Sequence, residues 1–436
     1  MNPLAEELNH IIKEKSPSIF SMLSSLGKEA FFPKGILSQS AEAKEKAYKF
    51  NATIGIATEN NKPMFINSVA SAINGIDTAD YLTYASSYGI PELRQRWREL
   101  LFNKNSSLFG KNISLPVATA GVTNGLSIFA DMFIDKKDVI IMPSMNWGNY
   151  NMIFSVRKGA NISLYDLFSD NKGFNIKGFE KKIKEEAAKN NKITVILNFP
   201  HNPTGYSVSD KEADAIVDIL YKTAESGTNV IALIDDAYFG LVYEEGILKE
   251  SLFARLSGLH KNILAVKADG ATKEEFVWGL RVGFVTYGCK ELDDDYSELY
   301  EALEKKTAGS IRGAISNASH LSQRLVLNLL NSPTHAAEKE EKFNILKKRA
   351  LKIKEVLKSS RYSKKFEAFP FNSGYFMCIK LKSDITAESL RQALLSKYGV
   401  GLIAVGEKNL RVAFSSINEE DIPELFDIIL KCINEF

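Results

Sequence analysis

Between about residues 113 and 288 the chain alternates short apolar runs with stretches in which apolar residues recur every three or four positions. The first pattern is that of a strand buried on both faces and the second that of a helix with one apolar stripe. Their alternation predicts a parallel sheet covered by helices. Seven runs qualify as strands: Leu115–Thr119, Asp138–Met142, Ile162–Tyr165, Ile193–Phe199, Asn229–Ile234, Ile263–Val266 and Arg281–Tyr287. Between them, Ser209-Asp210-Lys211-Glu212 reads as a capping box opening a helix with apolar residues at Ala213, Ile216, Val217 and Leu220, and Gly227 marks its end. Phe179 and Ile183 supply the buried face of another helix, whose Lys and Glu residues face solvent.

Beyond about residue 325 the rhythm changes. A long amphipathic helix is expected over Phe343–Leu357, followed by strands near Tyr375–Lys380 and Leu410–Phe414 and a last helix over Ile422–Ile433. The fold class expected is therefore α/β, a seven-stranded mainly parallel sheet in a large domain (67–322), with a smaller α+β domain built from 1–66 plus 323–436. There is no internal repeat and no low-complexity segment.

Composition narrows the function. The 436 residues are 45% hydrophobic, enough for a large core and a smaller one, and a net charge of +2 from 55 basic and 53 acidic residues makes no polybasic field. Nucleic acid and anionic membrane are thereby disfavoured as main partners, and a small-molecule ligand is expected. Cys289, Cys378 and Cys432 lack metal-type spacing and read as thiols in a reducing compartment. No apolar run approaches the ~18 residues of a membrane span, and charges run through Met1–Lys15 where a secretory signal would be apolar. A cytoplasmic location is expected, with no metal.

Five features fall at predicted strand ends, where open parallel sheets bind ligands. Lys273 lies just past Ile263–Val266, and Arg281 follows eight residues later. A lysine there can form an imine with an aldehyde cofactor, and the arginine can hold that cofactor's phosphate, which together imply pyridoxal 5′-phosphate. Beside the Arg281 cation and partly desolvated, Lys273 should lose affinity for its proton and serve as nucleophile and general base. The Gly121-Val122-Thr123 turn opens a helix whose first N–H groups and Thr123 hydroxyl suit a phosphate, although such a turn is often only a turn. Asp235-Asp236-Ala237-Tyr238 follows another strand; side-chain alternation lets one aspartate face the ligand, and Asp235 is the choice, to pair with a protonated pyridine nitrogen. The alternative is that both acids cap the next element or share a metal. Asn202, in His201-Asn202-Pro203-Thr204-Gly205, and Tyr238 can both donate to the cofactor's ring oxygen, and Trp147 can stack on its ring.

With these residues in place, the chain from about Asn51 to Phe414 resembles the class I aminotransferases of fold type I, the aspartate aminotransferase-like members above all. By that resemblance Asn202, Asp235, Tyr238, Lys273, Arg281, Thr123 and Trp147 take the family's cofactor positions. Tyr84, in Tyr84-Ala85-Ser86-Ser87-Tyr88-Gly89, looks like the tyrosine that reaches the phosphate in the neighbouring subunit, which implies a homodimer with shared sites. Arg411, in Asn409-Leu410-Arg411-Val412-Ala413-Phe414, matches the arginine that forks the substrate α-carboxylate, and Gly55 resembles the glycine beside that carboxylate.

Three departures stand out. Gly270 replaces a phosphate-facing serine, Ala318-Ser319 replaces the usual Pro-Pro after Ser316-Asn317, and Asn198 replaces a histidine. Arg312 is accordingly either a distal-carboxylate ligand or a surface or interface ion pair. The activity implied is transfer of the amino group of an L-amino acid, dicarboxylic or aromatic, to a 2-oxo acid such as 2-oxoglutarate through a Lys273 imine. Elimination or decarboxylation of an amino acid by the same residues is the alternative. A DNA-binding regulator built on this scaffold is disfavoured, since about 50 residues precede Asn51 and no helix-turn-helix unit is evident.

Overall fold

The computed structural model describes residues 1–31, 35–60, 62–290 and 296–436. Seven strands form its central sheet: β1 (Val117–Thr119), β2 (Val139–Pro143), β3 (Asn161–Tyr165), β4 (Lys192–Leu197), β5 (Asn229–Asp235), β6 (Ile263–Gly270) and β7 (Gly283–Cys289), in the order β1-β7-β6-β5-β4-β2-β3. Each corresponds to an expected strand, with shifted ends. β7 runs antiparallel to β1 and β6, and the remaining pairs are parallel.

Alternation along the strands feeds two separate apolar clusters. Ile231 and Leu233 of β5 join the cluster under helix α1 (Val122–Phe133), while Val230, Ala232 and Ile234 join the one under α2 (Ile176–Ala187) and α3 (Asp210–Glu225). Each fully buried aliphatic side chain contributes roughly 2 kcal/mol. A one-residue slip of β5 would exchange the two faces at once, so burial pins the register. The capping box of α3 forms as expected: Ser209 N donates to Glu212 Oε2 at 2.7 Å and Glu212 N to Ser209 Oγ at 3.4 Å.

The register also aligns the strand tips. Gly283 sits opposite both Thr119 and Gly270, and Asp235 sits opposite Ala268, so the residues after β1, β5 and β6 emerge at one edge of the sheet. Arg281 precedes β7 and does not lie within it, contrary to expectation. It adopts a left-handed backbone (φ 52°) after a short turn at Trp278–Leu280. Because β7 is antiparallel, its beginning lies at the same edge as the ends of the parallel strands.

A second sheet, antiparallel throughout, contains β8 (Phe366–Ala368), β9 (Phe376–Leu381), β10 (Ile403–Val405) and β11 (Asn409–Ala413) in the order β8-β9-β11-β10. Phe50–Asn51 pairs in parallel with Val400–Gly401, and Ala413 N donates to Ala52 O, which lays residues 50–55 alongside β11. The long helix begins earlier than its apolar spacing indicated: α4 spans His335–Val356. Its first two turns are mostly charged and are anchored by ion pairs of Lys339 and Lys342. A separate helix, His320–Leu330, runs unbroken across position 322, where the sequence reading changed domain. No described helix is long and apolar enough to cross a membrane.

Candidate active site

A cleft of about 500 Å³ opens at the shared edge of the central sheet. Val122, Thr123, Trp147, Asn202, Asp235, Tyr238, Lys273 and Arg281, all singled out from the sequence, line it together. They come from five separate stretches of chain, each placed there by a strand end.

The two aspartates diverge as side-chain alternation requires. Asp235 continues the Ile231, Leu233 face and lies in the cleft, where its Oδ2 accepts from the Tyr150 hydroxyl at 2.5 Å and its Oδ1 from Ala237 N at 3.1 Å. Asp236 points to the opposite face and pairs with the buried Lys267, which also lies 3.3 Å from Asp269. The pair therefore neither shares a metal nor caps one helix. Burial lifts the Asp235 carboxyl to about 6 despite its hydrogen bonds to Tyr150 and Ala237.

Lys273 belongs to a short helical turn, Ala271–Glu274, directly after β6. Two buried carboxylates beside it fix that turn. Glu274 pairs with Lys104 (2.8 Å) and Lys339 (2.7 Å), and Glu275 with Lys339 (2.7 Å) and His335 (2.6 Å). The Tyr375 hydroxyl donates to the Lys273 backbone oxygen at 2.8 Å. The Lys273 Nζ stands 5.4 Å above the Tyr238 ring. Desolvation, and then the positive charge of Arg281, bring its amine down to about 8. This is the direction expected from the sequence, with burial the larger cause.

The edge beside α1 suits a phosphate. Gly121 has φ +81°, and a Cβ there would stand 2.5 Å from Arg281 Nη2, so only a glycine leaves room for the guanidinium over the start of α1. First-turn N–H groups of a helix have no intrahelical acceptor, which leaves those of Val122 and Thr123 available. The Thr272 hydroxyl is buried without a partner. Gly270 also gains a reason: a Cβ there would meet Val282 O at 2.5 Å, so the serine of the family pattern has no space between β6 and β7.

Arg411 on β11 lies at the far side of Asn202. Its guanidinium donates to Asn202 Oδ1 at 3.3 Å and to Thr53 O at 2.8 Å, and it sits 4.1 Å over the Phe376 ring. Gly55 is adjacent, its Cβ position 3.6 Å from the Tyr238 hydroxyl. Arg411 and Gly55 thus adjoin the cleft through Asn202 and Tyr238 without lining it, and two further expected residues lie at the surface of this chain. Tyr84 is 91% exposed, and the exposed Arg312 donates to Ser316 Oγ at 2.6 Å. The segments carrying them are neighbours through the Ser87 Oγ donation to Ser316 O at 2.7 Å.

Sequence reasoning missed Tyr150 and the linking role of Asn198. Tyr150 stands three residues after Trp147 and edge-on to it, with ring centroids 5.4 Å apart, a helical spacing that was legible. Asn198 accepts from Asn202 N at 2.9 Å and donates to Asp235 O at 2.8 Å, joining two tips, and nothing in one sequence announces that. His201 is buried and hydrogen-bonded to Thr204 Oγ1 at 2.8 Å, and burial takes its imidazole down to about 3, so it is a neutral structural group.

These residues fit pyridoxal 5′-phosphate. An unpaired hydroxyl, an arginine over a glycine and a helix start answer the phosphate, a buried carboxylate answers the ring nitrogen, and an amine of low proton affinity answers the aldehyde. The family model for aminotransferase class I and II matches residues 52–429. The cytoplasmic aspartate aminotransferase of Saccharomyces cerevisiae is 24% identical over 354 residues, covering 79% of this chain and 81% of that protein. The aspartate aminotransferase of Sulfurisphaera tokodaii is 25% identical over 377 residues, covering 83% and 85%. Among solved structures, an aminotransferase from Anaerococcus prevotii superposes with a TM-score of 0.82 at 25% identity over 95% of this chain and 99% of that one. The fold, the cleft and the extent of the match agree: this chain belongs to the class I and II aminotransferases and is a pyridoxal phosphate-dependent transaminase of fold type I.

Proposed function

We propose that the enzyme moves the amino group of an L-amino acid, dicarboxylic or aromatic donors being favoured, to a 2-oxo acid such as 2-oxoglutarate. The observation that carries this reading is a lysine amine inside the cleft together with a second, buried cation just beyond Asn202. Lys273, with its amine near 8, lies beside Asp235 and Arg281, and the buried Arg411 lies beyond Asn202. Relatives named as aspartate aminotransferases support a dicarboxylic donor.

In this reading Gly121, Val122, Thr123 and Arg281 would hold the cofactor's phosphate, Trp147 would cover its ring, and Asn202 and Tyr238 would offer donors to its ring oxygen. When bound, pyridoxal phosphate supplies an aldehyde that condenses with amines and a ring that withdraws electrons from the substrate Cα. Asp235 holds the proton on the ring nitrogen by presenting a buried negative charge. Lys273 would be the amine that holds the cofactor's aldehyde, and its neutral Nζ would take the proton from the substrate Cα. Arg411 forks the α-carboxylate beside Gly55, which fixes which bond at Cα faces the lysine.

Tyr84 reaches the phosphate in the site of a partner subunit, and Arg312 either reads a distal carboxylate there or forms a surface or interface ion pair. The working unit is a homodimer, its location the cytoplasm, and each chain is divided into a cofactor unit (67–322) and a smaller unit (1–66 plus 323–436). A panel of L-amino acids with 2-oxoglutarate, followed by cofactor absorbance and product mass spectrometry, tests the substrate assignment. Formation of glutamate from aspartate or an aromatic donor is expected. Activity confined to other donors would overturn the preference.

A further inference from the structure

Asp235 is the acidic side chain of the cleft, and its surroundings oppose its charge. It is 3% exposed, and burial together with the neighbouring Asp236 carboxylate favours the neutral acid. Three groups act the other way: the Tyr150 hydroxyl, the Ala237 N–H and the Lys273 ammonium. Tyr238, the remaining titratable group beside it, is itself held protonated by burial. Lys273 must give up its proton to act as a nucleophile, so its support for the Asp235 charge lapses when the site works. The Ala237 N–H is backbone and binds only Oδ1.

Tyr150 is different in kind. It is 2% exposed, wedged between Trp147 and Phe154, and its hydroxyl donates to Asp235 Oδ2 at 2.5 Å. Among the described residues it is the side-chain donor to that carboxylate. Burial and the Asp235 charge push the phenol well above 10, so it remains a donor at every working pH.

We propose that Tyr150 is a positioning residue for this site: it holds Asp235 as a carboxylate with a fixed orientation, and so sets the pH range over which pyridoxal phosphate binds tightly. The inference rests on the assignment of Asp235 to the ring nitrogen. A hydrogen bond to a charged group in a buried site is strong enough to matter here. Its loss should move the Asp235 titration upward from about 6 into the range where the enzyme operates.

The test uses the full-length protein with ¹³C-labelled aspartate. The Asp235 carboxyl, identified by its absence in Asp235→Asn, is titrated by NMR without cofactor, and pyridoxal phosphate affinity is measured from pH 5.5 to 8.5, a range of about one unit or more either side of neutrality. In Tyr150→Phe the titration midpoint should rise and the cofactor dissociation constant at neutral pH should increase about tenfold. Tyr150→His, which returns an N–H donor, should recover part of both and guards against a packing defect in the phenylalanine variant. An unmoved midpoint and affinity in Tyr150→Phe, with weakened binding in Asp235→Asn, overturns the role of Tyr150 alone. Unchanged binding in Asp235→Asn overturns the assignment of Asp235 beneath it.

Discussion

The guanidinium of Arg411 donates to the backbone oxygen of Thr53 across 2.8 Å, while its Nε finds no acceptor and no carboxylate among the described residues neutralises it. Burial of an unpaired cation is costly, and a second anion entering the cleft would relieve it. Arg411→Leu should therefore unfold later than the wild type in denaturant, by about 1 kcal/mol or more, while losing transamination. Arg411→Lys, which keeps the charge but not the fork, should lose about 100-fold in kcat/KM, corresponding to one or two charge-assisted hydrogen bonds. Denaturant melts and steady-state kinetics on both variants check this.

The Lys273 amine, held near 8, should be the most reactive lysine of the cofactor-free chain at mildly alkaline pH. Its neutral, nucleophilic fraction rises as the pH climbs through 8, whereas an ordinary lysine waits until 10.5. The linkage has the same sign: the unfolded chain binds the extra proton between those values, so this group's penalty on the fold shrinks as the pH rises through that window. Acylation followed by peptide mass spectrometry should give a midpoint near 8 at Lys273, and Lys273→Ala should abolish turnover. A midpoint above 10 would count against the depressed amine.

Gly121→Ala puts a methyl group 2.5 Å from Arg281 Nη2 at a backbone φ of +81°. Arg281 must swing away, and the backbone conformation itself costs about 1–3 kcal/mol for a non-glycine residue. Lower thermal stability and at least about tenfold weaker cofactor binding are expected, the latter from loss of one charged phosphate contact. Cofactor affinity equal to that of the wild type would show that Arg281 does not depend on this glycine.

Lys339 bridges Glu274 and Glu275, both buried and one residue from each other beside Lys273. Its removal strands two carboxylates with only Lys104 and His335 for company. Lys339→Met should lower unfolding free energy by roughly 3 kcal/mol, the range for breaking a buried ion pair. Lys339, Lys104 and His335 hold the Glu275 carboxyl below its ordinary 4.5. Its contribution is full above that pH and fades as the solution is acidified below it, so the gap between wild type and Lys339→Met should narrow in acid melts.

The proposed sharing of sites makes a sharp prediction for mixtures. Lys273→Ala and Tyr84→Ala chains, each weak alone, should regain activity when unfolded and refolded together, because a mixed dimer carries one site with both residues intact. Lack of recovery, with mixed dimers shown by mass, would place Tyr84 outside catalysis.

The strand content and the strand-tip motifs were legible in the sequence because both depend on local spacing. Burial on two faces imposes runs such as Val230–Ile234, and the capping box and the Gly121 turn are set within a few residues. Alternation alone requires Asp235 and Asp236 to face opposite sides of the sheet, without fixing which of them meets the cleft. The early start of the long helix was not legible, since His335–Lys342 is stabilised by ion pairs to distant residues instead of an apolar stripe.

What the sequence determined by itself was which residue types stand at the ends of which strands. What the tertiary structure alone decided was their meeting: the antiparallel β7 that brings Arg281 to the cleft, the pairing of Phe50–Asn51 with Val400–Gly401 that sets Thr53 against Arg411, and the contact of Tyr150 with Asp235 across 85 positions of chain. Each depends on distant segments packed at fixed register. Local propensity does not encode such distances; the closing of one core around two apolar faces does.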